Sequence, residues 1–281
     1  MTIESDDDIQ ALKLAGEAVA TVLRRMLDAI RPGMTTGELD DLGARWLEEF
    51  GAKSAPRVMY DFPGATCISI KEQAAHGIPG SRVIQKGDVV NVDVSAELGG
   101  YFADTGGTRI VPPTTPTKTQ LVFAAQYALE QAMKEVKPGA RLNRIGHAIE
   151  RVAKAHKFKI IENLCSHGVG RSLHEEPKTI PGYYDASDTR ILNRDTNQAL
   201  GIGHPQRRHH AREHHRAVTD GRDRQAGLVH RLRRVVNLED AAVRGELGRV
   251  EIVAGADGAH LGLSMPGRFV KMILVENLGR E

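Results

Sequence analysis

The chain repeats itself, and this limits its possible folds more than any other feature of the sequence. IRPGMTTGELDDL at 30–42 aligns with VKPGARLNRIGHAI at 136–149, and in each case a long helical pattern precedes the Pro-Gly pair and a second helical pattern follows it. His76-Gly77-Ile78 has its partner in His167-Gly168-Val169. One short motif recurs by chance; two, in the same order and in matching helix, turn and strand contexts, favour two related halves folded around a pseudo-twofold axis.

The elements of each half follow from periodicity. Residues 5–30 read as an amphipathic helix with Ile9, Leu12, Val19, Leu23, Met26 and Ile30 on one face and Ser5 placed to cap it, stopped by Pro32 and Gly33. Thr36 is expected to cap a second helix carrying Leu39, Leu42, Trp46, Leu47 and Phe50 and ended by Gly51. ATCISI, DVVNVDVS and TRIV then alternate or run apolar between the HGIPG and ELGG turns, as strands do. After VPPTTPT the pattern restarts with TQLVFAAQYALEQAMKEV and a helix through Ile145, Ile149 and Val152. The class is α+β.

Within DVVNVDVS, Asn91 and Asp93 share one face while Val90, Val92 and Val94 face the core. A carboxylate in such a strand is costly unless something cationic meets it. The Leu98-Gly99-Gly100 turn can return a second strand and bring Asp104 near Asp93. Two converging acids suggest a divalent metal of the Mn, Fe, Co or Zn class, and His167 is the imidazole best placed to join them. A single aspartate in a strand is more often a salt-bridged or turn-capping residue; the whole constellation argues otherwise. His147 and His156 fall in helical patterns and read as surface residues, and Cys67 and Cys165 read as core packing. Two cysteines among 281 residues fit a reducing cytoplasm. The acidic start MTIESDDDIQ lacks the regions of a secretory signal, and no apolar run is long enough for a membrane span.

Residues 1 to about 190 resemble the type I methionine aminopeptidases through VMYDFPGATCISIKEQAAHGIP, GDVVNVDVSAELGGYFADT and SHGVGRSLHEEP. The resemblance implies the pita-bread fold, two pseudo-symmetric αβ halves around a curved antiparallel sheet, and a monomeric cytoplasmic enzyme that trims the initiator residue from nascent proteins near the ribosome. It implies two divalent metal ions, with Asp93 and Asp104 binding both and His167 binding one. His76 and His174 would contact the substrate or transition state, and Met59, Phe62 and Cys67 would line the pocket for the methionine side chain. An Xaa-Pro dipeptidase of the same fold is the alternative enzyme, and a metal-free binding module contacting ribosome or RNA is the alternative outside enzymes.

The resemblance ends in the last third, so 191–281 is set apart from 1–190 and the second half is expected to be incomplete. The family carries a glutamate in a TIEP-like strand and another further on, whereas NQALGIGHPQRRHHAREHHRAVTDGRDRQAG holds neither motif. Residues 204–234 have no helical or strand period and cluster Arg and His. A nucleic-acid-binding insertion, a His-rich metal tract and a shifted reading frame each account for that composition. The third is favoured. Codons permitted for His214-His215-Arg216-Ala217-Val218, read one nucleotide later, allow Thr-Ile-Glu-Pro, and the same shift over Arg233 to Ala241 allows Asp-Gly-Trp-Ser-Thr-Leu-Lys-Thr-Pro. As translated, Glu251 in GRVEIVAG is the best remaining acid.

Overall fold

Ser5 opens helix α1 (Asp6–Ala29) through a reciprocal cap: its hydroxyl accepts from the Asp8 amide, and the Asp8 carboxylate accepts from the Ser5 amide. The second helix, α2 (Thr36–Glu49), is capped the same way by Thr35 and Glu38, one residue earlier than the expected Thr36. The reason lies three residues on. Counting from Thr35 reaches Glu38, which can return the hydrogen bond, whereas counting from Thr36 reaches Leu39, which cannot. Thr36 instead exchanges hydrogen bonds with the backbone of Gly80, tying α2 to the loop after His76.

The computed structural model describes residues 5–192 and the short pieces 249–250 and 274–275, all within one compact unit. The Arg/His-rich stretch, the reframed peptides and Glu251 lie outside the described residues. So does 191–281 as a region, apart from Ile191, Leu192 and those two pieces.

The main sheet is antiparallel and centres on a hairpin of β3 (Val89–Leu98) and β4 (Tyr101–Ile110). Gly99 and Gly100 form its two-residue turn at φ 60° and 85°, the left-handed pair that matches the twist of such strands. Strands β1 (Lys53–Ser54) and β2 (Cys67–Ile70) both pair with β3, at Glu97–Ala96 and at Asp93–Val90 respectively. Between them runs the short helix α3 (Ala55–Tyr60). Val90, Val92 and Val94 pack with Val19, Val22, Leu23 and Met26 of α1 in one core. Each such side chain contributes about 1.5–3 kcal/mol on burial, which fixes the register of β3 because a one-residue slip would expose all three valines.

The second copy consists of α4 (Pro116–Lys134), α5 (Asn143–Ala155), β5 (Lys159–Ile160), β6 (Ser166–Gly168) and β7 (Glu175–Ile180). Its own core gathers Ala125, Ala128, Leu142, Ile145, Ile149, Ile180 and Leu192. Strand β8 (Arg249–Val250) pairs with β4 and β9 (Leu274–Val275) with β5.

The repeat is visible in the hydrogen bonds. Gly33 N donates to Ile84 O and Ile84 N to Met34 O; Gly139 N donates to Leu192 O and Leu192 N to Ala140 O. Thr36 N to Arg82 O is matched by Leu142 N to Arg190 O, and the bridge Thr35–Val83 by Arg141–Ile191. Both glycines have positive φ, 90° and 80°. The two Pro-Gly turns are thus the same small structure built twice.

Candidate functional site

The hairpin register decides how the two aspartates meet. Asp93 lies opposite Gly106 and Asp104 opposite Ser95, so the carboxylates are diagonal neighbours on the face turned away from α1. Gly106 brings no side chain against Asp93. On its other side β2 sets Cys67 directly opposite Asp93. Strand β2 is itself fixed by Asp40 of α2, whose buried carboxylate accepts from the amides of Ala65 and Thr66 and from the Thr66 hydroxyl.

Three further segments bring histidines to this face. His76 has φ 53°, an uncommon conformation for a side-chain-bearing residue, and the next residue explains why it is kept. Gly77 accepts from Ile68 N and donates to the Ser69 hydroxyl, laying His76 along β2. A Cβ on Gly77 would stand 2.1 Å from Ile68 O, so nothing larger fits there. His167 comes from β6, where Nδ1–H donates to Gly168 O at 3.0 Å and Nε2 is turned to the other side, 3.5 Å from Asp104 Oδ2. His174 stands in the β6–β7 loop with its ring 4.0 Å from that of His167. The loop is anchored from the first half: Gly170 O accepts from Phe102 N, and Arg171 lies over the Tyr101 ring and pairs with Asp8 at 3.0 Å.

These groups line one cavity of about 380 Å³ together with Pro56, Tyr60, Phe62, Leu164, Cys165 and Leu173. The expected residues Asp93, Asp104, His167, His76, His174, Phe62 and Cys67 therefore meet. Met59 is not among the lining residues; it stands 40% exposed on α3, and the next residue, Tyr60, faces the cavity instead. Sequence reasoning passed over Tyr60 and Leu173 and gave Cys165 to core packing, whereas it is half-buried at the cavity wall. The first had no periodicity to flag it, since a six-residue helix is too short to show one. His147 is exposed beside Tyr184 and His156 ends α5 against Phe123, as surface residues would.

The electrostatics are those of a site built for a cation. Burial pushes the Asp104 carboxyl above its usual range, opposed by His167, His174 and His76. Its Oδ1 is buried and accepts no hydrogen bond. His167 Nε2 stands 3.5 Å from the other oxygen, Oδ2, so that an imidazole nitrogen and a carboxylate converge where one cation could be held by both. Burial likewise lowers the His174 pKa, with His167 adding to the effect and Asp104 opposing it. Tyr60 is raised by burial and by Asp104. Among the described residues no three His, Cys, Asp or Glu side chains stand close enough together to hold a metal ion by themselves. The donor chemistry of Asp93, Asp104 and His167 fits a divalent ion, and the set requires further ligands.

Comparison with known proteins agrees with this chemistry. The chain is 47% identical over 193 residues to a methionine aminopeptidase of Staphylococcus epidermidis, covering 68% of this chain and 77% of that one. It superimposes on a methionine aminopeptidase crystal structure from Thermotoga maritima with a TM-score of 0.66 and 35% identity, covering 69% and 78% of the two chains. A prolidase from Pyrococcus furiosus, 20% identical with a TM-score of 0.59, shares the fold over 69% of this chain and 55% of its own. The pita-bread arrangement implied by the resemblance, with which the repeat agrees, is the fold of the matching structures. The sequence profile of metallopeptidase family M24 matches residues 10–205, and the chain belongs to that family.

Proposed function

We propose that the chain is a methionine aminopeptidase, a metalloexopeptidase that removes the N-terminal methionine from peptides and new proteins. The observation that carries this reading is the diagonal Asp93–Asp104 pair with His167 Nε2 beside it in a cavity with an apolar side. Phe62, Cys67, Leu164, Cys165 and Leu173 offer a soft, unbranched side chain such as methionine an apolar wall. Asp93, Asp104 and His167 would hold divalent metal, two ions of the Co, Mn, Fe or Zn class, with carboxylates from beyond Leu192 completing the set. A bound ion supplies an activated water and polarises the scissile carbonyl. His76 and His174 donate hydrogen bonds to the oxygen and nitrogen of the bond being cut. The enzyme acts as a monomer in the cytoplasm on chains leaving the ribosome, and no described helix is long and apolar enough to cross a membrane.

The frameshift reading belongs to the same proposal: the chain as translated carries three of the protein ligands, and the glutamate of the Thr-Ile-Glu-Pro motif lies one nucleotide out of frame, while the final glutamate has no such recovery. The test is hydrolysis of a methionyl tripeptide against an Xaa-Pro dipeptide, with and without added divalent metal and after chelation. Metal-dependent release of methionine is expected, weak or lost in the chain as translated, which is short of its glutamates, and full once the frame is restored. Cleavage of Xaa-Pro alone would establish the dipeptidase instead, and absence of both metal uptake and hydrolysis would favour a binding module.

A further inference from the structure

We propose that Tyr60 is a positioning residue for His174: its phenol O–H donates to Nδ1 and holds the imidazole in the tautomer that presents Nε2–H to the cavity. The inference rests on the aminopeptidase reading for its catalytic meaning, but the contact stands by itself. Tyr60 Oη lies 2.5 Å from His174 Nδ1, and the two rings meet edge to face at 5.8 Å. The hydrogen bond spans 114 positions of sequence, linking a helix of the first half to a loop of the second.

Both partners stand on fixed supports. Tyr60 ends α3, which is held at its start by Ser54: the hydroxyl accepts from Arg57 N and donates to Ala65 O. Asp61 closes the helix in a left-handed conformation with its amide on Pro56 O, and Pro56 is buried. His174 follows Leu173, 4% exposed in the first-half core, and its ring lies against His167. A half-turn of the His174 ring would put a carbon where Nδ1 now meets the phenol, so the hydrogen bond selects one ring orientation as well as one tautomer.

The direction of donation follows from what else lines the cavity. The opposite tautomer would donate from Nδ1 to the phenol and turn the Nε2 lone pair toward a cavity containing the Asp93 and Asp104 carboxylates. An N–H is the favourable group there. It is also the group that a developing oxyanion needs, and a ring already in that state requires no reorganisation when the substrate arrives. Tyr60 is 57% exposed, so its hydroxyl contributes little to the core. That separates a positioning role from a structural one.

The experiment uses the full chain labelled with ¹⁵N at histidine, with and without divalent metal. His174 signals are assigned by their loss in His174→Gln. In the parent, long-range ¹H–¹⁵N spectra at neutral pH are expected to show Nδ1 unprotonated and Nε2 protonated. Tyr60→Phe keeps the ring contact and removes only the hydroxyl, so its His174 signals should move toward the average of the two tautomers while the other histidines stay in place. For a methionyl tripeptide, kcat should fall about fivefold to tenfold, the order of one orienting hydrogen bond, with KM within about twofold. An unchanged His174 pattern in Tyr60→Phe, or an Nδ1–H tautomer in the parent, overturns the proposal. Lack of both metal uptake and hydrolysis in the two proteins would count against the aminopeptidase reading, whereas lack of hydrolysis alone follows from the missing glutamates; in either case the spectra judge the hydrogen bond.

Discussion

Burial raises the Asp104 carboxyl above 3.8, its ordinary value, and the sign of that shift has a consequence for stability. The folded chain holds the proton more tightly than the unfolded chain does. Stability contributed at this position is therefore fully present below about 3.8 and lost as pH rises from there through the folded value, unless a cation offsets the charge. Asp104→Asn removes the charge and keeps the shape. In metal-free protein the substitution should raise Tm, by about 2–4 °C for each kcal/mol of penalty removed, while calorimetry shows divalent binding lost. A lower Tm would mean that the carboxylate is solvated or paired in the metal-free fold. Functional sites commonly accept such a cost in stability.

At the scale of elements, helices and strands were legible because each carries its own pattern. The valines of β3 alternate, the apolar face of α1 recurs at helical spacing, and Gly99-Gly100 marks the hairpin, so local pattern alone puts Asp93 and Asp104 on one face. The cap at Thr35 was also in the sequence, in the Glu38 three residues on. What could not be read is the tertiary contact: no local pattern says that Tyr60 rather than Met59 turns inward, or that Tyr60 meets a histidine of the other half. Glycine shows the same limit. Gly146 sits inside α5, where alanine would ordinarily favour the helix by about 0.5–1 kcal/mol. Here an added Cβ would lie 2.1 Å from Tyr183 O and 2.6 Å from Pro181 O. Displacing that backbone costs about 1–3 kcal/mol, so the clash wins. Gly146→Ala should lower the urea midpoint, and an increase would show that residues 181–183 move aside freely.

For the whole molecule, the duplicated turn acts as a ruler. Ile84 and Leu192 occupy the same hydrogen-bonded position 108 residues apart, so the counterparts of Asp93 and Asp104 fall at Gly201 and Arg212, neither a carboxylate. The reframed glutamate draws on the codons of Arg216 and Ala217, which is 123 positions after Asp93 and 15 beyond the ruler. The gene should therefore spell Thr-Ile-Glu-Pro in the shifted frame across the codons of His214 to Val218, and sequencing it decides this. A chain with the frame restored should then bind divalent metal at least about 10–100-fold more tightly than the chain as translated, since even the groups that merely orient metal ligands are worth that much.

The two cores are not built from the two halves alone. Val169 and Leu173, from the β6–β7 region, are buried with Val19, Leu23 and Val92, while Arg171 reaches back to Asp8 and Tyr101. A ribosome delivers these residues last. The first half, though its helices and hairpin are synthesised early, cannot close its apolar interior until the chain has grown past residue 173, and it spends that interval with its surface open to chaperones and proteases. Chains stalled with about 160 residues outside the exit tunnel should be cut rapidly by protease, and protection should begin only once about 15 more have emerged.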